Sequence, residues 1–253
     1  MYGNYVSWYL LTHIYIKPGS KMSGFVIFKN VKIHSFCCYL YLIDSSFNLL
    51  FLEYYCIIYK PFNVLSQFTS GEGKQTLKDF FDVPVDVYPV GRLDYDSEGL
   101  LILTNDKKIN HDLLNPMLEH TREYWVQVDG EITAEALHDL QNGVDITVDG
   151  KLYRTKKSKA VALKIPPAVP DRNPPIRVRK NIPTSWVKII LTEGKNRQVR
   201  KMTAAVGFPT LRLIRHRIEK CTIEGLEPGE MRILTRGEMY QFLFQNRNEG
   251  QKA

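Results

Sequence analysis

Three acidic side chains and an arginine lie close together in the segment 91–99. Asp94, Asp96 and Glu98 occupy alternate positions, so in an extended loop all three carboxylates could face one way and hold a divalent cation. Alternatively, Asp94 acts alone with Arg92 nearby, and the other two acids face water as most runs of charge do. The spacing of the acids by itself leaves both interpretations open.

The residues on either side of this segment predict a loop that is fixed at both ends. Residues 85–90 alternate apolar and polar side chains, which is typical of a half-buried strand. Residues 100–103 form a short apolar run closed by Asn105 and Asp106, which is typical of a core strand that ends in a turn. A charged loop on a rigid scaffold is a common place for a catalytic group.

The stretch from Gly91 to Asp106 resembles a signature of pseudouridine synthases, in the branch that modifies ribosomal RNA. The matching residues are Gly91-Arg92-Leu93-Asp94, then Ser97, then Gly99-Leu100-Leu101, then Leu103-Thr104-Asn105-Asp106. Two further blocks match in the right order, Arg122–Val126 and Glu193–Met202. The resemblance covers roughly residues 54–234. Ser97 stands where the family more often has Thr, and Arg122 stands where Lys is usual.

This resemblance implies an α+β fold with a mixed, mostly antiparallel central sheet, flanking helices and two α/β subdomains around a catalytic cleft. It also implies isomerisation of a uridine to pseudouridine in large-subunit ribosomal RNA, the 23S RNA. The reaction breaks the N-glycosidic bond, turns the base and rejoins it through carbon. Because the product has the same atoms as the substrate, we expect no cofactor and no metal.

The resemblance also implies roles for individual residues. Asp94 is the catalytic carboxylate, and Arg200 is the basic residue that pairs with it and keeps it ionised. Tyr124 stacks on the target ring, and Arg92 helps to fill the position that the flipped nucleotide vacates. The residues alone leave Tyr124 open, because a tyrosine that shares a strand face with Val126 is more often part of a core.

A strongly basic region follows in the sequence. Residues 171–220 contain thirteen Lys and Arg against three acids, a local charge of +10, so the rest of the chain carries −3. Such asymmetry predicts a surface that binds a polyanion. Asn196 is predicted to cap a helix running to about Val206 that presents its cations away from the core. The predicted phosphate contacts are Arg177, Arg179, Lys180, Lys195, Arg197, Lys201, Arg212, Arg215 and Arg217.

The composition divides the chain into three parts. Residues 1–53 are an N-terminal extension of unknown role, expected to be either poorly ordered or a mis-assigned start. Residues 54–236 are the predicted catalytic domain, and residues 237–253 are a polar tail expected to fray. Charged residues interrupt every apolar burst in the first part, so no membrane span is expected. The four cysteines show no metal-ligand or disulfide spacing, which favours a reducing cytoplasm. We expect a monomer whose partner is ribosomal RNA.

Two other functions compete with the isomerase. A metal-dependent nuclease or phosphatase would use Asp94, Asp96 and Glu98, and would lose its activity on chelation. A non-catalytic RNA-binding module on the same fold would keep its function in the variant Asp94→Asn. The joint presence of Asp94, Tyr124 and Arg200 argues against the latter.

Overall fold

A computed structural model describes residues 53–176 and 182–248, and for residues 245–248 it describes the backbone only. The strands are β1 (Tyr55–Lys60), β2 (Tyr88–Pro89), β3 (Glu98–Thr104), β4 (Arg122–Asp129), β5 (Asp145–Val148), β6 (Lys151–Arg154), β7 (Lys159–Leu163), β8 (Thr184–Leu191), β9 (Thr210–Ile218), β10 (Cys221–Thr222) and β11 (Met231–Ile233). The helices are α1 (Lys107–Leu114), α2 (Ala134–Asn142), α3 (Gln198–Ala205) and α4 (Arg236–Asn248), with short 3₁₀ helices at Leu77–Asp79 and Pro116–Leu118.

Nine of these strands form one sheet in the order β11-β1-β3-β9-β4-β8-β7, with β10 beside β9 and β2 beside β3. The pair β3 and β9 is parallel, and the other pairs within this sheet are antiparallel. Strands β5 and β6 form a separate hairpin. The predicted mixed, mostly antiparallel sheet with flanking helices is therefore confirmed.

The two faces of the sheet are packed differently. Side chains that lie opposite each other on paired strands point to the same face, so the register assigns each residue to a face. The front face, which carries Leu101 and Leu213, has two separate apolar clusters, one over β1 and β3 and one over β4 and β8. The back face, which carries Leu100 and Ile214, has a single cluster under α1 and α4. The front face is thus divided between two apolar clusters, whereas the back face is packed as one.

The ends of the helices agree with the sequence in part. Thr133 caps α2 by accepting a hydrogen bond from the amide of Ala136 at 3.2 Å. The predicted cap at Asn196 is wrong, because α3 begins at Gln198. Arg197 precedes it in the left-handed conformation with φ +51° and makes no capping hydrogen bond through its side chain.

The C-terminal segment differs from the expected tail. Residues 236–248 form helix α4, whose Met239 and Leu243 are buried in the back-face cluster. The hydroxyl of Tyr240 also donates a hydrogen bond to the Asp106 carboxylate at 2.8 Å. The expectation that the tail frays is therefore wrong for residues 237–248, because α4 packs apolar side chains into the core. Residues 1–52 and 249–253 lie outside the described residues.

Among the described residues, no helix combines the length and the apolar character needed to cross a bilayer.

Candidate active site

The loop that carries Asp94 is tied to the core by its backbone. The hydroxyl of Ser66 donates to the carbonyl of Leu93 at 2.7 Å and accepts from the amide of the same residue at 3.0 Å. The buried ammonium of Lys60 donates to the carbonyl of Val64 at 2.7 Å and lies 3.5 Å from that of Tyr95. The residues before and after Asp94 are therefore both held, which limits the positions that its carboxylate can take.

Gly99 lets this loop enter the sheet directly beside β9. Its φ is +107°, and a Cβ at this position would lie 2.4 Å from the carbonyl oxygen of Arg215. Any side chain would force β3 and β9 apart, since real Cβ atoms do not approach a backbone oxygen so closely. The close parallel crossing of these strands thus depends on the glycine, and it brings the Asp94 loop next to Arg215.

Arg215 and Tyr124 are paired across β9 and β4 on the front face. Arg215 is 5% exposed and Tyr124 is 9% exposed. The Nε of Arg215 donates to the carbonyl of Leu100 at 2.8 Å, and its side chain lies beside that of Tyr124 on the same face of the sheet. Burial lowers the pKa of Arg215 from its ordinary value, while Tyr124 and Asp94 act against that shift. Arg215 was predicted to be an exposed phosphate contact, and its burial contradicts that placement.

Asp94 and Asp96 share one arginine. Arg197 forms a two-pronged pair with Asp96, at 2.8 Å for each nitrogen, and its Nη1 lies 3.7 Å from Asp94. Arg200 lies with its Nε 3.4 Å from the carboxylate of Asp96 and donates to the backbone carbonyl of the same residue. The predicted Asp94–Arg200 ion pair is therefore not formed within 4.0 Å, and Arg197 takes that place.

The charges of this group depend on each other. Burial acts to raise the pKa of Asp96, but hydrogen bonds from Arg197 and the charge of Arg200 outweigh it, so the net pKa is below its ordinary value. Burial lowers the pKa of Arg200, whose side chain is 13% exposed, and the charge of Asp96 opposes that effect. The group thus keeps two carboxylates beside two guanidinium ions at the edge of the front face.

Glu98 points to the other side of the sheet. It is 2% exposed on the back face, and Arg212 holds it through Nε at 2.9 Å and Nη2 at 2.7 Å. The three alternate acids therefore do not converge, because Glu98 already belongs to β3 and its side chain points away from the loop. Within residues 53–176 and 182–248, no group of three His, Cys, Asp or Glu is placed to hold a metal ion. The metal-site interpretation is wrong for this segment.

A buried carboxylate positions the turn that carries Arg197. Glu193 is 8% exposed and accepts hydrogen bonds from the Gln198 side chain, the Lys156 amide and the Tyr153 hydroxyl. This hydrogen bond and burial raise the pKa of Tyr153 to about 12. The side chain of Gln198 in turn accepts from the amide of Lys195 at 2.8 Å. Sequence reasoning missed Glu193 and Gln198, although both lie in a matching block.

The predicted RNA contacts separate into three groups. Arg92, Lys195 and Arg197 are exposed, and Lys201 is half-buried. Arg212 and Arg215 are buried, and Arg217 is paired with Glu123 at 2.8 Å. The predicted contacts that lie outside the described residues are Arg177, Arg179 and Lys180.

Comparison with known proteins decides the family. Residues 54–205 match the family model described as RNA pseudouridylate synthase. The chain belongs to this family. The match starts where the sequence resemblance was predicted to start, and the predicted enzyme class, an RNA pseudouridine synthase, is confirmed.

Individual relatives agree with this assignment. The chain is 47% identical over 174 residues to ribosomal large subunit pseudouridine synthase E of Vibrio parahaemolyticus. The alignment covers 69% of this chain and 71% of the relative. The chain is 44% identical over 179 residues to the synthase E of Xanthomonas campestris, covering 70% and 93%. A crystal structure of a pseudouridylate synthase superposes with a TM-score of 0.61 at 26% identity, covering 76% of this chain and 74% of that one.

Proposed function

We propose that this enzyme converts a uridine of large-subunit ribosomal RNA to pseudouridine, as a monomer and without a metal or cofactor. The RNA class is taken from the names of the relatives that are 44–47% identical. The observation that carries the site assignment is the meeting of three elements at one place. The fixed Asp94 loop lies beside the buried Tyr124–Arg215 pair, with Arg197 at its outer edge.

Asp94 is the reacting carboxylate of this proposal. A carboxylate can act on the sugar or the base as a nucleophile or as a base. The Arg197 guanidinium lies 3.7 Å from Asp94, and Arg200 contacts the neighbouring Asp96. The side chain of Asp94 is one third exposed, so a nucleoside can approach it from solvent.

Tyr124 is the ring that receives the flipped base. A nucleotide pulled out of its helix loses its stacking, and an aromatic side chain compensates for part of that loss. Tyr124 lies on β4 in the centre of the sheet, so its ring is held by neighbouring strands on both sides. In this proposal Arg92, which is exposed two residues before Asp94, occupies the gap left in the RNA.

The cations around the loop that solvent can reach hold the RNA backbone. Lys195, Arg197 and Lys201 lie on the α3 side, and Arg177 and Arg179 are added from the sequence alone. Salt weakens RNA binding. Each phosphate contact adds roughly 0.7 to 0.9 to the negative slope of log binding constant against log salt concentration. RNA binding should therefore fall steeply with salt, whereas turnover of already bound RNA should not.

The deciding experiment is a map of pseudouridines in ribosomal RNA from cells with and without this gene. We expect one uridine of the large-subunit RNA to lose its modification when the gene is deleted and to regain it with the wild-type gene. Complementation with Asp94→Asn should fail. A complete and unchanged map in the deletion strain would refute the proposed substrate, and successful complementation by Asp94→Asn would refute the role of the carboxylate.

A further inference from the structure

Arg215 is a buried cation at the centre of the site to which the proposed reaction assigns no step. Its strand β9 lies between β3, which continues from the Asp94 loop, and β4, which carries Tyr124. Its Nε donates to a backbone carbonyl of β3, and its side chain lies beside Tyr124, its cross-strand partner on β4. Its Nη2 is covered from solvent and has no hydrogen-bond partner among the described residues.

We propose that Arg215 is a positioning residue for the isomerisation, which sets the Tyr124 hydroxyl at a fixed place relative to the Asp94 loop. This inference rests on the proposed function, because only that function makes Tyr124 and Asp94 the groups that meet the substrate. It differs from the phosphate-binding role that the sequence suggested, since Arg215 acts from beneath the site.

The geometry of the guanidinium suits this task. Its donors lie in one rigid plane, so a contact made by one nitrogen fixes the direction of the others. The contact to the Leu100 carbonyl anchors the plane on β3, and the row Gly99–Arg215–Tyr124 runs from β3 across β9 to β4. A change in the spacing of these strands would move Tyr124 relative to Asp94, and displacements of about 1 Å can cost 100-fold in rate.

An arginine that is buried this deeply and has only a structural role is expected to pair with a carboxylate. Arg212, on the same strand and equally buried, has one in Glu98. Arg215 has no acid within 4.0 Å among the described residues, so its charge is less compensated than that of Arg212. Buried charge without a full set of partners costs stability and is concentrated at functional sites.

The test compares Arg215→Lys with the matched control Arg212→Lys, because both keep the charge and lose the planar fork. Turnover is measured as tritium released from carbon 5 of uridine in a large-subunit RNA fragment that contains the mapped target. We expect Arg215→Lys to lower kcat by about 10- to 100-fold with KM changed by less than about twofold. Arg212→Lys should leave kcat within about twofold of wild type, although its melting temperature falls.

A double-mutant cycle separates positioning from general destabilisation. In the Tyr124→Phe background the hydroxyl is absent, so Arg215→Lys should cost less than about threefold in single-turnover rate. An equal loss of single-turnover rate in both backgrounds would overturn the proposal. A raised KM with unchanged kcat would also overturn it, because that result would point to a phosphate contact.

A measurement on proteins that retain Arg215 covers the case in which Arg215→Lys fails to fold. With nitrogen-15 labelling, the Arg215 side-chain resonance should move and its proton should exchange faster in Tyr124→Phe than in wild type. An unmoved resonance would overturn the proposal. Absence of tritium release by the wild-type enzyme would instead refute the proposed function, and the resonance would still report on the contact.

Discussion

Two groups of acids and arginines lie where the Asp94 loop becomes β3, and they differ in their exposure. The loop group contains Asp94 and Asp96, one third exposed, with Arg197 and Arg200. The back-face pair is Glu98 with Arg212, at 2% and 6% exposure. In the pair, the Arg212 fork bonds both oxygens of Glu98 and a further N–H reaches the carbonyl of Pro170. In the loop group, Arg197 lies closer to Asp96 than to Asp94, and the group stays open to solvent.

The difference shows how the same residue types take different roles. A buried pair with its hydrogen bonds made cannot accept a substrate without losing them, so Glu98 and Arg212 hold β3 to β9. An open group exchanges partners at low cost, because water and salt screen each contact. Among the described residues, the carboxylate of Asp94 has one charged contact, at 3.7 Å to Arg197, so it is the acid of the three that is most available for chemistry. The following predictions test this division, in order of decreasing effect.

Asp94→Asn should lower kcat by at least about 10³-fold, which corresponds to about 4 kcal/mol of barrier, because an amide can neither attack nor accept a proton. Its melting temperature should stay close to that of wild type, since the side chain is one third exposed. Tritium release and thermal unfolding measure the two effects. A variant that retains a tenth of the wild-type rate would remove Asp94 from the mechanism.

Arg212→Met should reduce the free energy of unfolding by about 3–5 kcal/mol, because it leaves the Glu98 carboxylate buried without its partner. The double variant Glu98→Gln with Arg212→Met should recover part of that loss. Urea denaturation of both variants provides the measurement. A loss below about 1 kcal/mol would mean that the back-face pair behaves like a surface pair.

Lys60 should make stability depend on pH. Burial lowers the pKa of its ammonium to about 7 from 10.5, against the charges of Glu98 and Asp96. Between about pH 7 and 10 the unfolded chain therefore binds more protons at this group than the folded one, so this contribution to stability increases with pH. The slope is at most about 1.4 kcal/mol per pH unit. Urea denaturation from pH 7 to 9 should show a smaller increase for Lys60→Met than for wild type, and parallel curves would contradict the prediction.

Asp96→Asn should change the free energy of unfolding least, by less than about 1 kcal/mol, because its pair with Arg197 is partly exposed. That change should shrink further at high salt. Denaturation at low and high ionic strength tests both points. A loss as large as that of Arg212→Met would abolish the distinction between the two groups.

Much of the fold could be predicted from local patterns. The apolar run after Gly99 predicted the core strand β3. The alternation over residues 85–90 predicted a longer strand than the structure has. Of these residues, only β2 (Tyr88–Pro89) forms a strand, and Val85 is 93% exposed. Helix α4 was missed because its few apolar residues have a partner only in the folded chain.

The amino-acid sequence by itself determined the family, the catalytic segment and the identity of the candidate acid, because these depend on residue types at fixed spacing. Only the tertiary structure decided which arginine meets which acid. Arg197, Arg200, Arg212 and Arg215 are about a hundred residues or more from the loop, and no local pattern distinguishes a cation on one sheet face from a cation on the other. That choice depends on strand register and on the glycine that lets β3 approach β9.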